Sequence, residues 1–365
     1  MAGLTELVER AAAPGVVAAI DDPGGGELAV VGRATLDGAP MTRDTVFRIA
    51  SVTKPVLAAA ALVLVQRGTV GLDDDVARWL PPLGSVRVLR DPAGPLDDTV
   101  PLARPITVRH LLESSSGMGF VSDFGAPVME LLRERLHQGP PDPDSMPPTD
   151  EWVALLDQVP LVHQPGAGWS YNTGYELLGI VLARAAGTTL GEVLAETLFE
   201  PLGMADSGFW TASGRLGDEV AAGPDGLCVL DPPAGAYTRP PAFESGAGGL
   251  VSTVDDLLRF GRMLRSRGAD VLTEESVRAM TTAHVPPQPG NVFMDGAGWG
   301  YGGGVDVAAG RPWQVPGRYG WIGGSGTAFY LYPNGRIAVW LSQLQLRGPD
   351  DYSAIGEFLT YAASA

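Results

Sequence analysis

Residues 56–65 form the longest unbroken apolar run in the chain, and a lysine stands two residues before it. Alanine, leucine and valine at that density, closed by Gly68, predict a helix from Thr53 to Arg67 with no polar face. Such a helix must be wrapped on every side, so the fold needs a large core. The run is about half of the roughly 20 residues that span a bilayer, so the wrapping is expected to be protein. With 365 residues, 45% of them hydrophobic, the chain can supply that core as one large domain or two closely joined ones.

Lys54 is the only lysine; every other basic residue is arginine. Arginine cannot release its proton at biological pH, whereas a buried lysine can. Ser51 lies three residues earlier, on the same helix face, within reach of the lysine amine. A desolvated lysine with a depressed pKa can take the serine proton and make a nucleophile. Ser51 also stands at the helix start, where free N–H groups and the dipole favour negative charge on oxygen. The same two residues equally allow a capping serine and a lysine that neutralises a buried acid. Spacing alone leaves both open.

Other chemistries fit poorly. A formal net charge of -17 repels phosphate backbones and anionic membranes, so neither nucleic acid nor membrane is an expected partner. The single cysteine, Cys228, excludes an intrachain disulfide and reads as a small buried hydrophobe in a reducing compartment. Residues 1–10 lack the basic-then-apolar order of a signal peptide, which makes the cytoplasm the expected location. The four histidines are scattered without metal-ligand spacing, and the Asp73-Asp74-Asp75 cluster reads as helix capping, so no metal or organic cofactor is expected. Gly298, Gly300 and Gly303 match a bare GxGxxG, but strand-like sequence follows where a helix is required. No serine sits in a Gly-x-Ser-x-Gly elbow.

The predicted elements begin with a helix over 4–13 and two short strands, Val16–Ile20 and Glu27–Ala34, about a Pro-Gly turn. Helices follow over 106–112, 127–137, 152–159 and 175–186, then two more through Leu198, with long loops at 81–105 and 138–148. Residues 211–245 read as turns, 255–265 and 274–281 as amphipathic helices. Strands are expected over 301–308, 327–332 and 336–343, and a closing helix over 351–363. Strands at both ends with helices between imply one antiparallel sheet flanked by helices, an α/β (α+β) arrangement. The sheet lobe would comprise about 1–69 and 241–365, and a mostly helical lobe about 70–240.

Ser51-Val52-Thr53-Lys54 resembles the Ser-x-x-Lys motif of serine β-lactamases and penicillin-binding proteins. Ordered matches over Phe47–Lys54, Gly71–Val76, Ile106–Gly117, Trp169–Gly179, Glu200–Met204, Gly248–Asp256 and Gly320–Thr327 are similar to the class C β-lactamase-like branch, which includes the family VIII carboxylesterases. The resemblance implies the β-lactamase-like fold, with the active site between the two lobes. It also implies Ser51 as nucleophile, Lys54 and Tyr171 as its proton-handling partners, and the N–H groups of Ser51 and Gly324 as the oxyanion hole. Tyr171-Asn172-Thr173 fills the second motif with threonine where asparagine is common, so Asn172 is the candidate for a substrate amide contact. Trp321-Ile322-Gly323 fills the third motif. Tryptophan there resembles the esterase branch and removes the cation that binds a β-lactam carboxylate; Arg318 could restore a positive charge nearby, but reads first as a surface arginine. Trp321, Gly323 and the aromatics Phe120, Trp152, Trp210, Trp299 and Tyr301 are the candidates to line a substrate pocket. The implied activity is esterase on small or medium neutral esters, through an acyl-enzyme and with little β-lactamase activity. An acyltransferase using the same acyl-enzyme and a non-catalytic ligand binder or penicillin sensor are the alternatives. The expected partner is a small ester or acyl substrate; the oligomeric state is left open.

Overall fold

Residues Val16 to Ile20 are apolar at every position because both faces of their strand are covered. In the computed structural model, which describes residues 3–364, strand Gly15–Asp22 sends Val17 and Ala19 into a large core. Val16, Ala18 and Ile20 enter a smaller core on the opposite face, as the alternation of strand side chains requires. The strand is second in a seven-stranded antiparallel sheet. Its order is Gly25–Gly32, Gly15–Asp22, Ile337–Ser342, Thr327–Leu331, Tyr319–Gly323, Gly304–Val305 and Gly298–Trp299. The first and last parts of the chain thus meet directly, Val16 opposite Ser342 and Asp21 opposite Ile337.

Terminal helices Leu4–Glu9 and Ser353–Ser364 cover the small-core face. On the other face lies helix Val254–Arg265, whose Phe260 ring meets Phe329 at 5.4 Å. The central helix Thr53–Gln66, buried from Val56 through Leu64, packs against helices Thr173–Ala186 and Glu274–Met280. Its lack of a polar side is the direct result of that burial. Helices Val108–Leu112, Pro127–Leu136, Thr173–Ala186 and Leu190–Leu202 lie in the middle of the chain. No single helix among the described residues is long and apolar enough to cross a membrane.

The fold is the expected β-lactamase-like one, with several local corrections. The first helix stops at Glu9, four residues short of the expected Ala13, with Arg10 as its C-cap. The two helices predicted before Leu198 are one, with a π-helical turn at Ala195–Phe199. Within 211–245 lies a hairpin, Glu219–Gly223 with Gly226–Asp231, and Cys228 is exposed on it rather than buried. The strand expected over 301–308 shrinks to Gly304–Val305. Gly302 turns the chain there with φ +82, and a Cβ on it would lie 2.6 Å from the Lys54 carbonyl oxygen. The loop packs its backbone onto the central helix, an approach only glycine permits. Asp73 pairs with Arg109, Asp74 accepts from the Gly71 N–H and Asp75 from the Ala77 N–H, so the acidic cluster is spent on the local turn.

Candidate active site

Ser51 lies in the middle of a single 3₁₀ turn, Ala50–Val52, that runs straight into the central helix. Ala50, just before it, has φ +42, a left-handed conformation that costs a residue with a Cβ free energy. The turn is held from two sides. The Ile49 N–H donates to the Leu250 carbonyl at 2.9 Å, and the Thr327 hydroxyl donates to the Ile49 carbonyl at 2.9 Å. Gly323 fits against the same turn: a Cβ there would fall 2.4 Å from the Ile49 oxygen and 2.2 Å from Thr327 Oγ1.

Ser51 Oγ accepts hydrogen bonds from Lys54 Nζ and from the Tyr171 hydroxyl, both at 2.9 Å. The other two Nζ bonds go to Asn172 Oδ1 at 2.9 Å and to the Ala247 carbonyl at 2.7 Å. Three donors and three acceptors fix the ammonium group completely. Lys54 is fully buried, and burial brings its pKa down to about 7 against the opposing pull of Glu176. Glu176 holds the loop behind it. Its carboxylate accepts from the Ser245 hydroxyl at 2.7 Å and the Ala247 N–H at 3.3 Å, and burial raises its pKa. Tyr171 is pinned by an antiparallel bridge to Phe120. Burial pushes its phenol up to about 12, the bonds with Ser51 and Trp321 pulling the other way. Trp321 Nε1 donates to the phenolic oxygen at 2.7 Å.

Two cavities meet at this cluster. One, of about 360 Å³, is walled by apolar groups that include Phe120, Pro141, Met146, Phe209 and Phe243. The other, of about 580 Å³, is walled by Trp313, Trp321, Tyr330, Asp306 and Arg318. Ser51, Tyr171, Phe293 and Gly324 belong to both. Gly324 faces open space, since a Cβ there would meet nothing within 4 Å.

The structure therefore brings Ser51, Lys54, Tyr171, Trp321, Gly324 and Phe120 together, and moves the other candidates. Asn172 borders the first cavity, but its amide is committed: Oδ1 receives Lys54 and Nδ2 donates to Gln138 Oε1 at 3.0 Å. Gly323 faces the turn that carries Ser51 instead of either cavity. Trp152 is a core residue whose indole donates to the Leu136 carbonyl. Trp299 is likewise buried, edge-on to Trp321 at 4.7 Å. Tyr301 stacks on His284 at 4.3 Å away from the cavities, and Trp210 is exposed on the surface. Arg318 is buried, not superficial, and paired with Asp306 at 2.7 Å.

Residues absent from the sequence-level list complete the site. Phe293 stacks on Tyr171 at 4.7 Å from a loop with no periodic pattern. Glu176, five residues after Tyr171, and the Ala247 carbonyl were likewise not legible, because a main-chain acceptor carries no residue-type signal.

Several known proteins are similar to this chain. An uncharacterised Mycobacterium tuberculosis protein is 38% identical over 322 residues, 81% of this chain and 77% of its own. Esterase EstB of Burkholderia gladioli is 32% identical over 320 residues, 80% of this chain and 76% of its own. Among solved structures, EstCE1, described as a hydrolase with promiscuous acyltransferase activity, superposes with a TM-score of 0.81 at 26% identity. The alignment covers 99% of this chain and 96% of that one. The beta-lactamase family profile matches residues 4–356, and the chain belongs to that family.

Proposed function

We propose that the protein is a serine carboxylesterase that works through an acyl-enzyme on Ser51. The observation that carries this reading is the Ser51 hydroxyl, 2.9 Å from both Lys54 Nζ and the Tyr171 hydroxyl, at the junction of two cavities. With its pKa near 7, Lys54 is partly neutral at physiological pH and can accept the Ser51 proton as the oxygen attacks an ester carbonyl. Tyr171 gives its phenolic proton to the leaving alcohol oxygen, and the Lys54 ammonium, released from the now esterified Ser51 oxygen, returns the proton it took to the phenolate. The N–H groups of Ser51 and Gly324 serve as the oxyanion donors. Water, activated by the same lysine, then releases the acid. Phe120, Phe209, Phe243 and Met146 favour an apolar group in the smaller cavity.

Neutral esters fit better than β-lactams, because Trp321 supplies an indole N–H where a carboxylate-binding cation would stand, and Arg318 is already neutralised by Asp306. The second cavity supports a second outcome, transfer of the acyl group to an alcohol bound there. EstB and EstCE1 lend weight to both outcomes by likeness.

Incubation with p-nitrophenyl butyrate should give a burst of nitrophenol and a butyryl mass increment on the Ser51 peptide, both absent in Ser51→Ala. A Ser51→Ala variant with full activity would overturn the nucleophile. Added alcohols that form new esters would favour transfer, and nitrocefin turnover matching the ester rate would overturn the preference for esters.

A further inference from the structure

In the acyl-enzyme reading Gly324 supplies one of the two oxyanion N–H groups, yet it has no side chain to hold it in place. Its neighbours hold it. The Gly326 N–H closes a turn onto the Gly323 carbonyl at 3.0 Å, and the Leu346 N–H donates to the Gly324 carbonyl at 2.7 Å. Between those bonds the buried Ser325 hydroxyl donates to Glu219 Oε1 at 2.6 Å, within the range of charge-assisted bonds. Glu219 opens the first strand of the hairpin at 219–231 and is itself buried. Its other oxygen, Oε2, lies 3.9 Å from Nε of Arg48, three residues before Ser51. Glu219 thus stands between the strand that leads to Ser51 and the turn that carries Gly324.

Charge balance does not explain this carboxylate. Arg48 is already paired with Asp231 through Nη2 and through Nε at 2.8 Å, and its Nη1 donates to the Gly217 carbonyl at 2.8 Å. A second buried carboxylate beside that pair carries a desolvation cost, and burial raises its pKa. An uncharged side chain of the same size would avoid that cost. We propose that Glu219 is a positioning residue, which sets the separation of the two oxyanion N–H groups by holding Ser325 on one side and facing Arg48 on the other. The inference rests on the acyl-enzyme reading of Ser51 and adds to it a residue from a hairpin outside the three motifs. A ground-state ester carbonyl gains little from exact placement of the two donors, whereas the oxyanion needs both already aimed at it. Loosening the turn therefore lowers kcat and leaves KM alone.

The test measures rates per active site, counted from the nitrophenol burst with p-nitrophenyl butyrate. Ser325→Ala removes the hydroxyl alone; kcat should fall about tenfold while KM stays within about twofold of the parent. A butyl trifluoromethyl ketone is the second probe. Ser51 Oγ bonds to its carbonyl carbon, the π pair moves onto oxygen as an oxyanion, and Lys54 takes the serine proton. Its inhibition constant should weaken about tenfold in Ser325→Ala, whereas a variant that merely loses folded protein keeps the parent constant. Glu219→Gln retains an acceptor for the Ser325 hydroxyl and should cost about threefold in both measurements. The double variant should do no worse than Ser325→Ala, because Glu219 acts through that hydroxyl. Should Glu219→Gln not fold, Ser325→Ala decides alone. Unchanged ketone affinity in Ser325→Ala, a raised KM with kcat unchanged, or additive losses in the double variant overturn the positioning role and leave the Ser51 reading intact. A wild-type enzyme with neither a burst nor a ketone adduct overturns the two together.

Discussion

The indole N–H of Trp321 and the phenolic oxygen of Tyr171 lie 2.7 Å apart, and that bond decides how the tyrosine is used. With one lone pair occupied by the indole, the phenol turns its own hydrogen toward Ser51 Oγ. Trp321→Phe keeps the ring and removes the donor. Butyrate ester hydrolysis should fall about tenfold with little change in thermal midpoint, measured by steady-state kinetics and calorimetry. An unchanged kcat would show that the tryptophan only packs.

Lys54→Met removes the proposed base and leaves an apolar stem of similar length. Acylation should slow by about 10³-fold in rapid-mixing experiments with p-nitrophenyl butyrate. A loss under tenfold would move the role of base elsewhere.

Burial draws Lys54 from 10.5 to about 7. Only the neutral amine accepts a proton, so kcat/KM should rise with pH, reach half its maximum near pH 7 and stay level well into the alkaline range. Glu176 pulls in the opposite direction, raising the lysine. Glu176→Gln should therefore shift the midpoint to lower pH; a shift upward would contradict the coupling. Stability follows the same proton. Between about pH 7 and 10.5 the unfolded chain holds a proton that folded Lys54 has released, so the Lys54 contribution to stability climbs across that window.

Two adjacent glycines should behave oppositely. Gly323→Ala places a Cβ 2.2 Å from Thr327 Oγ1 and 2.4 Å from the Ile49 oxygen, and should cost several kcal/mol of stability or prevent folding. Gly324→Ala meets nothing within 4 Å and should melt within about 2 °C of the parent. Parallel thermal melts of the two variants check both.

Removing the Thr327 hydroxyl leaves the Ile49 carbonyl with the Val52 N–H alone, at 3.1 Å, beside the strained Ala50. Thr327→Val should lose about 1–3 kcal/mol in denaturant titration. Activity should fall further than stability predicts, because the turn carrying Ser51 is then free to relax.

What could be read from the sequence depended on whether a residue's role was local. Lys54 announced itself because it is the only lysine, and its distance from Ser51 is a property of one helix. The sheet was legible in the alternating and doubly apolar strands at the two ends. Trp152 and Trp299 were misplaced because a large aromatic has the same signature in a core as in a pocket. Arg318 was misread because its partner, Asp306, lies on a loop that folds back only in three dimensions. The hairpin at 219–231 was hidden by the proline and glycine around it and by the exposed apolar side chains of its second strand, Gly226–Asp231, which show no buried face.

The pairing of Val16 with Ser342 has a kinetic meaning. Ser51, Lys54 and Tyr171 all precede the halfway point of the chain, but Trp321, Gly324 and Thr327 lie in a hairpin whose neighbour, Ile337–Ser342, must find its other partner, Gly15–Asp22, more than three hundred residues away. Such distant pairings are slow to form. During refolding, helical signal should return early and esterase turnover late, timed by closure of the sheet.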